Sequence, residues 1–169
     1  MMNARQGFDI SDWRQIGFGM PKIDVFSIRM RRAGKRTCGA DKAVLVGFQP
    51  EEQGRLTEEL DNIGLRTVSV RLDECSLRNL SADSCSASLL FINFDAFDAI
   101  EDGVDQLMTL RAKNSNLVVV LCSASIRGDD LGNERSALCD VTLKLPLTKS
   151  RLRTGLRAAL ENREEKQFE

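Results

Sequence analysis

Ser88-Leu89-Leu90-Phe91-Ile92-Asn93 is the stretch that decides the fold. An unbroken apolar run between polar ends suits a strand buried on both faces, as in a parallel sheet covered by helices. Working outward, similar runs recur. Ala43-Val44-Leu45-Val46-Gly47 precedes it, and Leu117-Val118-Val119-Val120-Leu121 and Val141-Thr142-Leu143 follow. Arg66-Thr67-Val68-Ser69-Val70 alternates polar and β-branched residues as a further strand.

Helical patterns separate these runs. Pro50 suits a first helical turn, Glu51 and Glu52 favour its positive end, and Leu56, Leu60 and Ile63 form one stripe that Gly64 stops. Ile100, Val104, Leu107 and Met108 mark the next helix. A poorly patterned helix is expected around Asp130 to Leu138. Thr148 caps a last one with Leu152, Leu156 and Leu160 on one face. Asp73 to Ser86 is polar around Cys75, Leu77 and Leu80, with only a weak helical signal. Strands alternating with helices imply right-handed crossovers. The expected fold is α/β and flavodoxin-like: a doubly wound, five-stranded parallel sheet with helices on both faces and an N-terminal extension. Ligands on such sheets bind at the carboxyl ends of the strands.

The composition is that of a soluble globular chain, 42% apolar and 29% charged over 169 residues. Charge is uneven. Residues 1–40 carry eight Lys/Arg against three Asp/Glu, whereas residues 41–147 carry ten against eighteen. The chain holds no histidine, which removes Ser-His and Cys-His dyads and imidazole metal ligands. Its five cysteines, Cys38, Cys75, Cys85, Cys122 and Cys139, show no CxxC and read as reduced thiols of a cytoplasmic protein. No apolar run approaches a membrane span, and charges interrupt any signal-peptide core. Gly17-Phe18-Gly19 lacks the context of a phosphate loop.

Four strand ends carry a family resemblance. The first strand runs into Gly47-Phe48-Gln49-Pro50, the third ends at Asn93 with Asp95 and Asp98 beyond it, the fourth reaches Cys122-Ser123-Ala124, and the fifth runs into Lys144-Leu145-Pro146-Leu147. In this order, from Asp41 to about Arg163, they resemble the receiver domain of bacterial response regulators. The resemblance implies an acidic pair holding Mg²⁺, an aspartate that attacks phosphorus, a lysine that neutralises charge, and a Ser/Thr hydroxyl that binds the new phosphate and biases a two-state loop. Most of these parts are missing. Phe48 and Gln49 stand at the acidic pair, and Asn93 at the acceptor, where an amide cannot act as a carboxylate nucleophile. Leu145 precedes Pro146, and Lys144 is displaced by one residue, onto the opposite strand face. Ser123 alone fits. It reads as a strand-end hydroxyl satisfying backbone groups or as a relic switch. Asp95, Asp98 and Asp102 read as loop and helix-start acids.

The expected organisation is an aromatic and basic arm over residues 1–40, a receiver-like body over 41–163 and a charged tail over 164–169, with no output domain after it. The arm holds Trp13, Phe18 and Phe26, then the basic run with Arg31 and Arg32. Those aromatic and basic residues suit packing on the body, a partner or a second copy. Contact with nucleic acid or anionic lipid ranks below these, because the body is acidic. The resulting expectation is a non-catalytic pseudo-receiver with no cofactor and no metal. It would dock onto a histidine kinase, a regulator or its own copy as a homodimer, through faces such as the helix after the fourth strand and the last helix. An alternative keeps phosphoryl transfer at a relocated aspartate, Asp95 or Asp98. A nucleotide- or flavin-binding protein and a nucleic-acid binder rank lower.

Overall fold

The computed structural model describes residues 42–72, 77, 87–132, 134–135 and 137–166. The strands are β1 (Lys42–Val46), β2 (Arg66–Val70), β3 (Ala87–Asn93), β4 (Val118–Ser123) and β5 (Val141–Lys144). The helices are α1 (Pro50–Asp61), α2 (Ile100–Lys113) and α3 (Lys149–Lys166), with a 3₁₀ turn over Phe94–Ala96. All neighbouring strands are parallel, in the order β2-β1-β3-β4-β5. This is the expected doubly wound sheet.

The period of two within each strand divides the core. Ala43, Leu45, Leu89, Phe91, Val120 and Leu143 face one layer, where they meet Leu56 and Leu60 of α1 and Leu152, Leu156 and Leu160 of α3. Val44, Val46, Leu90, Ile92, Val119 and Leu121 face the other, against Leu107 and Leu110 of α2. The strands are apolar at nearly every position because both faces are covered. β2 is the exception, an edge strand with Val68 exposed.

Helix ends follow local chemistry. Gly64 adopts φ 86°, a left-handed conformation that costs a side chain little only when it is absent, and its amide donates to the Asp61 carbonyl beyond α1. The Thr148 hydroxyl accepts the Arg151 amide, and its carbonyl accepts the Leu152 amide, as expected of a cap.

Two helical expectations change. In α2 the buried positions are Gly103, Leu107, Leu110 and Arg111, while Ile100 and Met108 are exposed. Among the described residues, the segment from Asp130 to Leu138 forms turns and no helix. Instead Asp130 and Thr142 exchange both backbone hydrogen bonds at 2.8 Å, in an antiparallel bridge. The apolar residues of this segment are too sparse to bury a helical stripe, and pairing with β5 satisfies the backbone.

A buried ion pair ties the layers together at the end of the sheet where β4 begins. Asp140 is fully buried and accepts two bonds from the Arg111 guanidinium, at 2.7 and 3.0 Å, plus the Val119 amide at 2.7 Å. Its backbone carbonyl accepts the Asn162 side chain at 2.7 Å. Arg163 lies 4.0 Å from the same carboxylate, and burial, followed by repulsion from Arg111, holds its pKa below the usual arginine range. α2, β4 and α3 therefore meet on one residue.

Breaking such a pair leaves an uncompensated buried charge, so Asp140→Asn should lower unfolding stability by about 3–5 kcal/mol in denaturant titration. Two helical glycines should respond with opposite signs. A Cβ at Gly155 would lie 2.6 Å from a Leu143 methyl, whereas at Gly54 nothing lies within 4 Å. Gly54→Ala should stabilise by about 0.5–1 kcal/mol and Gly155→Ala should destabilise by about 1 kcal/mol or more, read as opposite shifts of the denaturation midpoint.

Candidate functional site

The strand order changes direction between β1 and β3, so a crevice is expected beyond their carboxyl ends. There the chain after β1 and the loop after β3 lie close together. Gly47, at φ 75°, brings the chain after β1 onto the loop after β3. A Cβ at Gly47 would stand 2.8 Å from Ala96 Cβ and 3.2 Å from the Asn93 carbonyl oxygen. Phe48 turns its half-buried ring onto the layer of α1 and α3. Gln49 is exposed at the N-terminus of α1, and its carbonyl accepts the Gln53 amide.

Asn93 is buried, and its side-chain oxygen accepts the Asp95 amide at 3.1 Å. This side-chain turn is a common use of asparagine, and it folds the chain back over the strand end. The turn aims Asp95 at the end of β4. The Ser123 hydroxyl donates to Asp95 Oδ1 at 2.6 Å and the Ala124 amide to Oδ2 at 2.6 Å. The Ser125 hydroxyl adds a longer bond of 3.3 Å, and the Ser125 amide donates to Ser123 Oγ at 3.0 Å. Ser123 thus satisfies a backbone amide, one of the two readings of it, and also donates to an acid that neither reading named. Partial burial alone would raise the Asp95 pKa, but Ser123, Ala124 and Ser125 outweigh it and hold the carboxyl below its ordinary value. Asp95 is therefore an exposed acid, as its sequence context suggests, and is also anchored by its hydrogen bonds to the end of β4. Asp98 remains exposed in the loop before α2.

Lys144 and Leu145 take the opposite faces that alternation predicts. Leu145 is buried in the layer of α1 and α3, and the peptide bond to Pro146 is cis. The Lys144 ammonium donates to the Arg127 carbonyl at 3.4 Å, and its backbone amide to Asp129 Oδ1 at 2.7 Å. Asp129 also receives the Arg151 guanidinium through Nε at 2.8 Å and through Nη2. Arg151 further caps the Lys144 and Pro146 carbonyls, at 2.6 and 2.9 Å. The Arg151 hydrogen bond is the main cause of the lowered Asp129 pKa, and Asp129 in turn raises that of Arg151.

Sequence reading missed the Asp129–Arg151 pair. A weak signal for it exists, since Arg151 falls in the first turn of α3, where a cation is disfavoured without a partner. Cys122, between these two acid-bearing loops, is fully buried. Burial, then repulsion by Glu52 and Asp129, pushes its thiol pKa far up, so it behaves as a small apolar residue, as expected.

Magnesium, which the receiver resemblance implies, does not fit these residues. Mg²⁺ demands several hard oxygen ligands in near-octahedral array. Phe48 is an apolar ring packed half-buried on the layer of α1 and α3, Gln49 is an exposed amide, and Asp95 and Asp129 spend their oxygens on serine, amide and guanidinium donors. Among the described residues, no group of three or more Asp, Glu, Cys or His side chains could hold a metal ion. Trp13, Phe18, Phe26, Arg31 and Arg32 lie outside the described residues. No described helix is long and apolar enough to cross a membrane.

Neither a protein-family model nor a curated protein matches the sequence. Solved structures do match by shape. The N-terminal domain of a response regulator/sensory box/GGDEF 3-domain protein from Carboxydothermus hydrogenoformans aligns with TM-score 0.59 and 17% identity, over 75% of this chain and 98% of that one. A CheY-like response regulator receiver domain from Methylobacillus flagellatus aligns with TM-score 0.55 and 22% identity, over 72% and 99%. A response regulator receiver domain protein from Clostridium thermocellum aligns with TM-score 0.57 and 12% identity, over 73% and 97%. The chain shares its fold with response regulator receiver domains.

Proposed function

We propose that this chain is a pseudo-receiver, a non-catalytic protein-interaction module of bacterial two-component signalling that works without accepting a phosphoryl group. One observation carries the reading. The Ser123 hydroxyl and the Ala124 amide, the donors that a phosphoryl group would need, are both occupied by the Asp95 carboxylate at 2.6 Å. The remaining machinery is replaced in kind. Asn93 is an amide that folds a turn, Leu145 is a core residue, and at the acidic pair stand Phe48, packed on the layer of α1 and α3, and the exposed amide Gln49.

On this reading the protein acts by docking in the cytoplasm to a histidine kinase, a regulator or a second copy as a homodimer. The segment after β4 presents turns, so the expected helical docking face there is withdrawn. α3 keeps its place in the proposal, with Arg153, Arg157 and Glu161 exposed along it. The arm of residues 1–40, with Trp13, Phe18, Phe26, Arg31 and Arg32, supplies further contacts in this proposal, beside a body over 41–163 and a tail over 164–169. α3 itself runs to Lys166, past the boundary at 163.

The competing reading makes Asp95 or Asp98 a phosphate acceptor. Asp95 lies at the carboxyl end of the sheet, next to a hydroxyl, which is the observation in its favour. Phosphorylation there would require breaking its bonds to Ser123 and Ala124, and among the described residues no acidic cluster could hold a metal beside it and Lys144 donates to the Arg127 carbonyl instead. The two readings separate on incubating the full chain with Mg²⁺ and acetyl phosphate, then measuring intact mass. The pseudo-receiver should show no phosphoryl adduct. A stoichiometric adduct lost in Asp95→Asn or Asp98→Asn would establish a working receiver at that residue.

A further inference from the structure

The geometry points to Asp95 as a resident stand-in for a phosphate: its carboxylate fills an oxyanion seat made by Ser123, Ala124 and Ser125 and latches the chain after β4 in place. This deepens the pseudo-receiver reading and rests on it. In the receiver mechanism a hydroxyl at the end of the fourth strand moves when a phosphate arrives, and the loop behind it changes state. Here the acceptor is part of the chain.

Three features make the arrangement a built seat. First, the carboxylate is held from behind, because the buried Asn93 side chain accepts the Asp95 amide and fixes the turn. Second, its two oxygens are divided between different donors, Oδ1 to Ser123 and Ser125 and Oδ2 to the Ala124 amide. A planar group with two acceptor oxygens reproduces part of the pattern that phosphoryl oxygens offer. Third, Ser123 is itself oriented, since its oxygen accepts the Ser125 amide while its proton goes to Asp95.

The loop is then pinned at both ends. Its start, Ala124 and Ser125, hangs on Asp95. Its far end is secured by Asp129 on the Lys144 amide and Arg151, and by Asp130 paired with Thr142. Arg127 lies between, with its carbonyl taking the Lys144 ammonium. Loss of the Asp95 anchor should release the first half of this span and leave the second half attached. The surface that a partner meets beyond β4 would therefore be held permanently in one state, with no phosphodonor required.

Hydrogen–deuterium exchange on the full-length protein tests this. Asp95→Ala should speed exchange across 124–128 by about tenfold or more, the loss expected when charge-assisted bonds are removed. Strand segments 89–92 and 118–121 should keep wild-type protection, which shows that the variant is folded. Ser123→Ala should loosen the same span, and the double variant should go little further than Asp95→Ala, because both act on one bond. Sodium formate, a small carboxylate that fits the vacated seat, should restore protection to Asp95→Ala but leave the wild-type pattern unchanged. Wild-type exchange at 124–128 in Asp95→Ala would overturn the latch. So would loosening of 124–128 that formate fails to reverse. Neither outcome touches the phosphodonor result on the wild-type chain, so the latch and the pseudo-receiver reading fail separately.

Discussion

A carboxylate with no access to water anchors this fold. Asp140 stands where β5 is about to begin, and it takes hydrogen bonds from α2 and β4 through its side chain and from α3 through its backbone. Such a group is costly to bury, and it persists because every oxygen has a donor. The value of the arrangement lies in position. It fixes where β4 and β5 start relative to one another, and the parallel register then carries that setting to the far end, where Ser123 pairs with Lys144. Ser123 and the backbone of Lys144 both belong to the polar network at the carboxyl edge. One end of the sheet thus sets the geometry of the other.

The polar residues at that carboxyl edge satisfy one another. Asp95 is matched by hydroxyls and an amide, Asp129 by a guanidinium and an amide, and the Arg127 carbonyl by an ammonium. Each acid is kept charged by its neighbours, with a pKa below the ordinary value at Asp95 and Asp129. A site prepared for an incoming cation or phosphate would keep acceptors and donors poised for it. At this edge the donors and acceptors of Ser123, Ala124, Asp95, Asp129 and Arg151 are instead engaged with one another.

The sheet was legible in the sequence because its signals are local and redundant. The runs at Ala43–Gly47, Ser88–Asn93 and Leu117–Leu121 are apolar at nearly every position, a pattern that only two-sided burial explains. The departures from the receiver pattern can also be read letter by letter, as no carboxylate at Phe48 or Asn93 and no lysine at Leu145. Relations between distant residues were not. Asp95 reaches Ser123 across 28 positions and Arg111 reaches Asp140 across 29, and no periodicity links such pairs. Arg111 is instructive, because an arginine on a helix normally counts toward the wet face. Here it follows Leu110 into the core, while Ile100 and Met108, apolar by type, stay outside. The segment around Asp130 misled for a related reason. The alternation of strands and helices suggested a helix there, while its few apolar residues offered no stripe to hold one.

The bridge between Asp130 and Thr142 has an effect beyond shaping that segment. A bare outermost strand is a template on which another chain can lengthen the sheet. By taking both backbone groups of Thr142, the returning segment shields this flank from strand-by-strand growth.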